Sequence, residues 1–244
     1  MILPKILISL LIALSVVFIG LQVYQMENEA AGLRTLLFVL LTTLYYVRVK
    51  NKRVFFFSFL ITFTIAEILN FLSFFVDVPQ LNDSDTMYYL VNSVYIIAYA
   101  LLITQILSAM NVIEMVKKYP FHLLILIVLD VFCVVVVTNT AIGRLTYYAY
   151  FVELIYNAVI MILLTVTLIN YLHREDKKAI NLLIGAIFIF FSEVLQLAYF
   201  YISSINILNV ACSICLVLGF AFFYMQSILS YEWREEISYK DIAV

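Results

Sequence analysis

The sequence predicts an all-α integral membrane protein, an eight-helix transmembrane bundle, and three observations carry that prediction. Hydrophobic residues make up 66% of the 244 and charged residues only 12%, with a mean hydropathy of +1.08. Soluble chains run at about 45–50% apolar and about 25% charged. Apolar runs close to the roughly 20 residues needed to cross a bilayer recur eight times. Basic residues gather in alternate connections between those runs, as they do when helices cross a membrane back and forth.

The first span, Ile6–Tyr24, follows Lys5, and no small-x-small cleavage site succeeds it, only Leu21-Gln-Val-Tyr-Gln. It therefore reads as a membrane helix and not as a signal peptide. The second and third are Ala30–Val47 and Val54–Phe75, and the fourth is Met87–Met110. The fifth, Phe121–Val137, is the shortest, with Pro120 suited to its first turn. Leu145–Leu172, Ala179–Ile202 and Ile205–Leu229 complete the set. Short connections make consecutive helices antiparallel neighbours. Residues 1–229 form one domain, followed by a polar tail, 230–244, with Trp233 as an interfacial anchor.

Orientation follows from the cations. Arg48, Lys50, Lys52 and Arg53 fill the second loop, Lys117 and Lys118 the fourth, and Arg174, Lys177 and Lys178 the sixth. Lys5, Arg234 and Lys240 lie toward the termini. Odd-numbered loops hold only Arg144, and the third is acidic through Asp77, Asp83 and Asp85. Both termini are expected in the cytoplasm.

Several chemistries lack the residues they need. Cys133, Cys212 and Cys215 all fall within apolar runs, so no disulfide framework is indicated, and Cys212-x-x-Cys215 reads as buried small residues. His122 and His173 are too few and too shallow for a zinc hydrolase or a serine–histidine pair. No span holds an internal Lys for a retinal Schiff base. No phosphate-cradling glycine loop and no GxxxG motif occur. Neither a metal nor another cofactor is expected, and nothing suggests a nucleic-acid partner.

Two apolar runs share one pattern. Ile61-Thr-Phe-Thr-Ile-Ala-Glu67-Ile-Leu-Asn70 is echoed by Ile187-Phe-Ile-Phe-Phe-Ser-Glu193-Val-Leu-Gln196. Leu40-Leu-Thr-Thr-Leu44 and Leu163-Leu-Thr-Val-Thr-Leu168 precede them, each separated by a basic loop. Two parallel repeats of four helices would account for the match, and a chance likeness of two apolar helices is the alternative. Repeats place functional sites at the interface between halves.

A carboxylate near the bilayer centre costs about 2.5 kcal/mol or more, so intramembrane acids invite a functional reading. Four lie within the spans: Glu67, Asp130, Glu153 and Glu193. Asp130 is expected near mid-membrane, Glu67 and Glu193 just outside it, and Glu153 about two turns from the outer face. Arg34, Asn70, Tyr99, Tyr156 and Gln196 fall at matching or adjoining depths. Burial disfavours the charged form of a carboxyl, and a second carboxylate nearby disfavours it further. Such a pair can hold one proton, placing an acid beside an anion, which suits cleavage of an acetal-like or enol-ether bond. The plainer reading is that these acids make interhelical hydrogen bonds in protonated form.

The chain resembles the YhhN-type membrane family, which includes lysoplasmalogenases. The residues carrying the likeness are Tyr156-Asn-Ala-Val-Ile160-Met161 and Gly185-Ala-Ile-Phe188-Ile-Phe-Phe-Ser192-Glu193. The family has a Tyr-x-x-x-Ile run, then Gly-Ala-x-x-Phe-x-x-x-Ser-Asp. Arg34-Thr-Leu stands where the family tends to have Lys-Pro-Leu, Glu67 where it has a Gly-Asp pair, and Ala98-Tyr99 where it often has Ala-His. The likeness spans most of residues 30–200 and is specific around 156–193. Both acids are Glu instead of Asp, and the His is Tyr.

The resemblance implies an eight-helix bundle that hydrolyses the vinyl ether of lysoplasmalogen-like single-chain ether lipids, and a bacterial inner-membrane location. Glu67 and Glu193 would be the catalytic acids. Arg34, Asn70, Tyr99, Asp130, Glu153, Tyr156 and Gln196 would bind or position the lipid, with Arg34 reaching its phosphate. A non-catalytic lipid- or small-molecule-binding protein, or a proton-coupled transporter, is the alternative, because carboxylates between repeats also suit proton coupling.

Overall fold

Eight helices long and apolar enough to cross a membrane, together with one short helix, make up a computed structural model that describes residues 2–76 and 86–229. The acidic third loop and the tail beyond Leu229, including Trp233, lie outside the described residues. In chain order the helices are α1 (Ile2–Val23), α2 (Glu27–Arg48), α3 (Val54–Leu72), α4 (Thr86–Leu107), α5 (Val112–Lys118), α6 (Pro120–Asn139), α7 (Tyr147–Arg174), α8 (Lys177–Leu197) and α9 (Asn206–Ile228). Each expected span coincides with one long helix.

Two elements were not foreseen. Helix α5 occupies the fourth loop, where the Asn111 side chain caps it by accepting from the Glu114 amide. A π-helical turn, Ala198–Ile202, extends α8, and its last bond runs from the Ser203 amide to the Ala198 carbonyl. Elsewhere local signals set the boundaries. Thr146 caps α7 and Asp176 caps α8. Glu175 adopts a left-handed conformation at φ 49° to reverse the chain between those two helices.

Packing closes seven helices into a ring: α1, α2, α3, α4, α7, α8 and α9, with α9 returning to α1. Helix α6 stays outside it and packs against α7. Only Thr138 of α6 is buried, while Phe121, Leu124, Val128 and Phe132 are exposed. In water such a helix would be untenable; in a bilayer those side chains meet lipid.

The core of the ring is aromatic. Phe59, Phe63, Tyr99, Phe220 and Phe223 meet on the inner faces of α3, α4 and α9, with Phe59 and Phe220 stacked at 5.8 Å and 9°. Between α8 and α9 the backbones approach closely. A Cβ on Gly185 would lie 2.6 Å from the Phe223 ring and 3.1 Å from the Gly219 carbonyl oxygen. No GxxxG motif is needed for this contact, because one glycine from each helix makes it.

Candidate functional site

Ring closure brings the distal ends of α3, α7 and α8, away from the basic loops, around a cavity of about 370 Å³. Its wall includes Arg34, Glu67, Asn70, Tyr156, Glu153, Glu193 and Gln196, seven of the nine residues singled out by sequence. The aromatic core lies beneath it. Tyr99 touches the site from that core, and Asp130 does not line it.

Glu67 is 2% exposed and fully engaged. Arg34 Nε donates to its Oε2 at 2.6 Å, and the Tyr95 hydroxyl donates to its Oε1 at 2.8 Å. The α2 and α3 backbones are joined beside it, where the Thr35 hydroxyl donates to the Glu67 carbonyl at 3.1 Å. A cation and a phenol at hydrogen-bonding distance thus occupy both oxygens of this buried carboxyl. The guanidinium engages through Nε alone; its two Nη groups make no hydrogen bond to another described residue, and Arg34 also lines the cavity.

Glu193 has a different set of neighbours. The Tyr99 hydroxyl donates to its Oε1 at 3.2 Å, and Tyr156 interacts with the same carboxyl. No cation forms an ion pair with it among the described residues. Tyr95 lies within electrostatic reach of both glutamates, between them in the network. The two glutamates are thus partnered unequally: Glu67 forms an ion pair with Arg34, and the hydrogen bonds to Glu193 come from phenol hydroxyls.

Glu153 forms a third node. Tyr88 donates to its Oε2 at 2.8 Å, and Asn157 donates to its Oε1 at 3.3 Å and to Thr138 Oγ1 at 3.2 Å. Asn70 and Gln196 line the cavity with no side-chain hydrogen bond to another described residue. Asp130 departs from the constellation for a topological reason. It sits on α6, outside the ring, and both its oxygens accept from the Thr165 hydroxyl on α7 at 2.9 and 2.7 Å. An expected depth along the membrane says nothing about which way a helix faces.

Sequence reasoning missed Tyr88 and Tyr95 on α4, and Tyr199 and Tyr201 on the π turn, all of which line the cavity. The spacing of Tyr88, Tyr95 and Tyr99 along α4, seven and then four residues apart, was the available signal. The π turn had none, since no Pro or Gly marks it. It turns Tyr199 to donate to Glu27 Oε1 at 2.9 Å, joining α8 to the start of α2. Ser192 donates to the Cys212 carbonyl at 3.0 Å, so this pair ties α8 to α9 behind Glu193.

No group of three or more His, Cys, Asp or Glu side chains among the described residues is arranged to hold a metal ion. Compared with protein-family models, with curated proteins and with solved structures, the chain has no match.

Proposed function

We propose that the chain is a membrane hydrolase that cleaves the vinyl-ether bond of a single-chain ether lipid in the cavity bounded by Glu67 and Glu193. The observation that carries this reading is the unequal partnering of two carboxyls in one wall. A buried carboxyl without a cation is more stable as the neutral acid, and one bound to a guanidinium is more stable as the anion. Glu193 is then the proton donor and Glu67 the fixed anion.

In the proposed reaction Glu193 transfers its proton to the outer alkenyl carbon, leaving an oxocarbenium ion on the ether carbon and a carboxylate on Glu193. Water adds to the cation and returns a proton to Glu193. The resulting hemiacetal breaks its bond to the glycerol oxygen, which takes up the hydroxyl proton, and aldehyde and alcohol leave. Because Arg34 neutralises much of the Glu67 charge, the newly formed Glu193 anion supplies most of the cation stabilisation. Tyr99 and Tyr156 then strengthen their hydrogen bonds to it as charge develops. The Arg34 Nη groups suit the lipid phosphate, and Asn70 and Gln196 offer amides to the water or the glycerol hydroxyl.

The test uses purified protein in detergent with lysoplasmalogen as substrate and aldehyde release as the readout. Glu193→Gln should lower turnover by about 10²-fold or more, the scale of general acid catalysis. Unchanged release by Glu193→Gln, or no release by the unaltered protein, would remove the catalytic reading.

A second reading draws support from a separate observation. A further cavity lies at the opposite end of α3, α4, α8 and α9, and the aromatic core separates the two. Two chambers with one plug suit a proton-coupled transporter, with Glu193 as the titrating group. Uptake into liposomes driven by a pH gradient, without aldehyde release, would select this reading.

A further inference from the structure

The outer cavity suits only one half of a single-chain lipid. At about 370 Å³ it is near the lower limit of the roughly 300–1,000 Å³ usual for ligand sites, and its wall carries Glu27, Glu153, Glu193, Asn92 and Gln196. Glycerol and a head group fit such a wall, whereas a long hydrocarbon chain gains nothing against amides and carboxyls. Beneath it the aromatic core of Phe59, Phe63 and Phe220 fills the ring axis. The chain therefore has to leave sideways, between two helices.

Glu193 marks such a place. Besides the cavity it lines a seam where its neighbours on α6 and α8 are Cys133, Val134, Val137, Phe190 and Val194. Asn157 is the other polar side chain there, and its amide is taken up by Glu153 and Thr138. At about 10 Å³ the seam has no more room than one water needs, so it stands closed. Its two edges are held differently. Among the described residues, every side-chain hydrogen bond of α6 goes to α7: Asp130 accepts from Thr165, Thr138 from Asn157, and Asn139 from Tyr150. Toward α8 the seam side chains of α6 are Cys133, Val134 and Val137, and none of them hydrogen-bonds to α8. Parting apolar side chains in a bilayer costs little when a lipid chain takes their place, because lipid tails are as apolar as the side chains.

We infer that the seam between α6 and α8 receives the hydrocarbon chain of a single-chain lipid from the bilayer, with α6 swinging on its α7 hydrogen bonds to admit it. The inference rests on the outer cavity holding the polar half of the lipid, as proposed above, and supplies the place for the other half. It also fixes the register of the substrate. In a vinyl-ether lipid the reacting carbons lie where the chain joins the glycerol oxygen, at the boundary between apolar and polar parts. Glu193 stands at the same boundary in the protein, lining the polar cavity and the apolar seam together.

The experiment uses the full chain in phospholipid nanodiscs with a saturated 1-O-alkyl lysophospholipid, which has no vinyl ether to cleave, carrying a diazirine midway along its chain. Mass spectrometry of the irradiated protein maps the adducts, and aldehyde release from lysoplasmalogen is measured on the same preparation. Adducts within 133–137 of α6 and 190–194 of α8, lost on adding excess unlabelled lipid, are expected. Val134→Trp overfills the seam and should cut these adducts by about fivefold or more, the least that overpacking one position costs. Phe190→Ala widens the seam without added bulk and should raise them. Val128→Trp, on the lipid-facing side of α6 at 63% exposure, should leave them unchanged. Adducts that excess lipid does not displace, adducts confined to other helices, no response to Val134→Trp and Phe190→Ala, or an equal loss with Val128→Trp would each overturn the seam, whatever the aldehyde assay shows. Displaceable adducts in the seam without aldehyde release would keep the chain site and remove the hydrolase reading alone.

Discussion

Helices α3 and α8 carry the same sequence pattern around Glu67 and Glu193, yet the two stretches differ in what surrounds them. In α3 the glutamate meets Arg34 and Tyr95; in α8 it meets tyrosine hydroxyls and, among the described residues, no ion-pair partner. Eight residues earlier the contrast is steric. Phe59 fills the core with a ring, and the matching Gly185 clears space for the ring of Phe223. A likeness in sequence has thus become a complementarity in space. The α3 stretch contributes bulk and a carboxyl paired with a cation; the α8 stretch contributes a gap and a carboxyl bonded by phenols. Such asymmetry is what the proposed division of roles between the two carboxyls rests on.

The largest expected effect comes from removing the cation. Arg34→Gln leaves a 2% exposed carboxylate without its partner, which costs about 3–5 kcal/mol. Denaturation in mixed micelles should show this loss, and adding Glu67→Gln should recover most of it. The same measurement on Glu193→Gln should move stability far less. An equal loss at both positions would erase the distinction between the two glutamates.

Next in size is the steric half of the contrast. Gly185→Ala puts a methyl 2.6 Å from the fully buried Phe223 ring and 3.1 Å from the Gly219 carbonyl oxygen. Overpacking of this kind costs about 1–3 kcal/mol. Trimming the opposing ring with Phe223→Leu should relieve part of the penalty in the double variant. A neutral Gly185→Ala would mean that the helices part more easily than the geometry allows.

Hydroxyl removal gives a finer comparison. Tyr95→Phe deprives the Arg34-paired Glu67 of a 2.8 Å hydrogen bond and should cost about 1–2 kcal/mol. Tyr99→Phe removes a 3.2 Å bond to a carboxyl with no ion pair and should cost about 0.6 kcal/mol, the average for interhelical bonds in membranes. The order of the two matters more than either value, and a reversed order would exchange the roles of the glutamates.

How far the sequence could be read follows from the kind of signal each feature leaves. Eight spans were legible because the bilayer demands a fixed apolar length, and each run, from Ile6–Tyr24 onward, matches a helix. The glutamates were legible because charge is rare in that setting. Arg34 was singled out for depth, but its bond to Glu67 was not foreseen, since contact across helices has no local signature. Tyr88 and Tyr95 went unnoticed because tyrosine is common here, with 18 in the chain, and carries no charge to mark it. The place of α6 outside the ring was equally hidden. Its run is as apolar as those of the ring helices, and apolar side chains serve a protein interior and a lipid surface alike.

That ambiguity sets the smallest prediction. Asp130 lies on the helix outside the ring, where it accepts from the Thr165 hydroxyl across the α6–α7 contact. Asn retains an oxygen acceptor for that hydroxyl and removes the option of charge. Asp130→Asn should therefore change stability by no more than about 0.6 kcal/mol and leave aldehyde release at its original rate. A loss comparable with that of Arg34→Gln would show that α6 faces something other than lipid on its outer side. That side of the helix would then belong to the working part of the molecule, and the contrast between ring and periphery would have to be redrawn around Asp130.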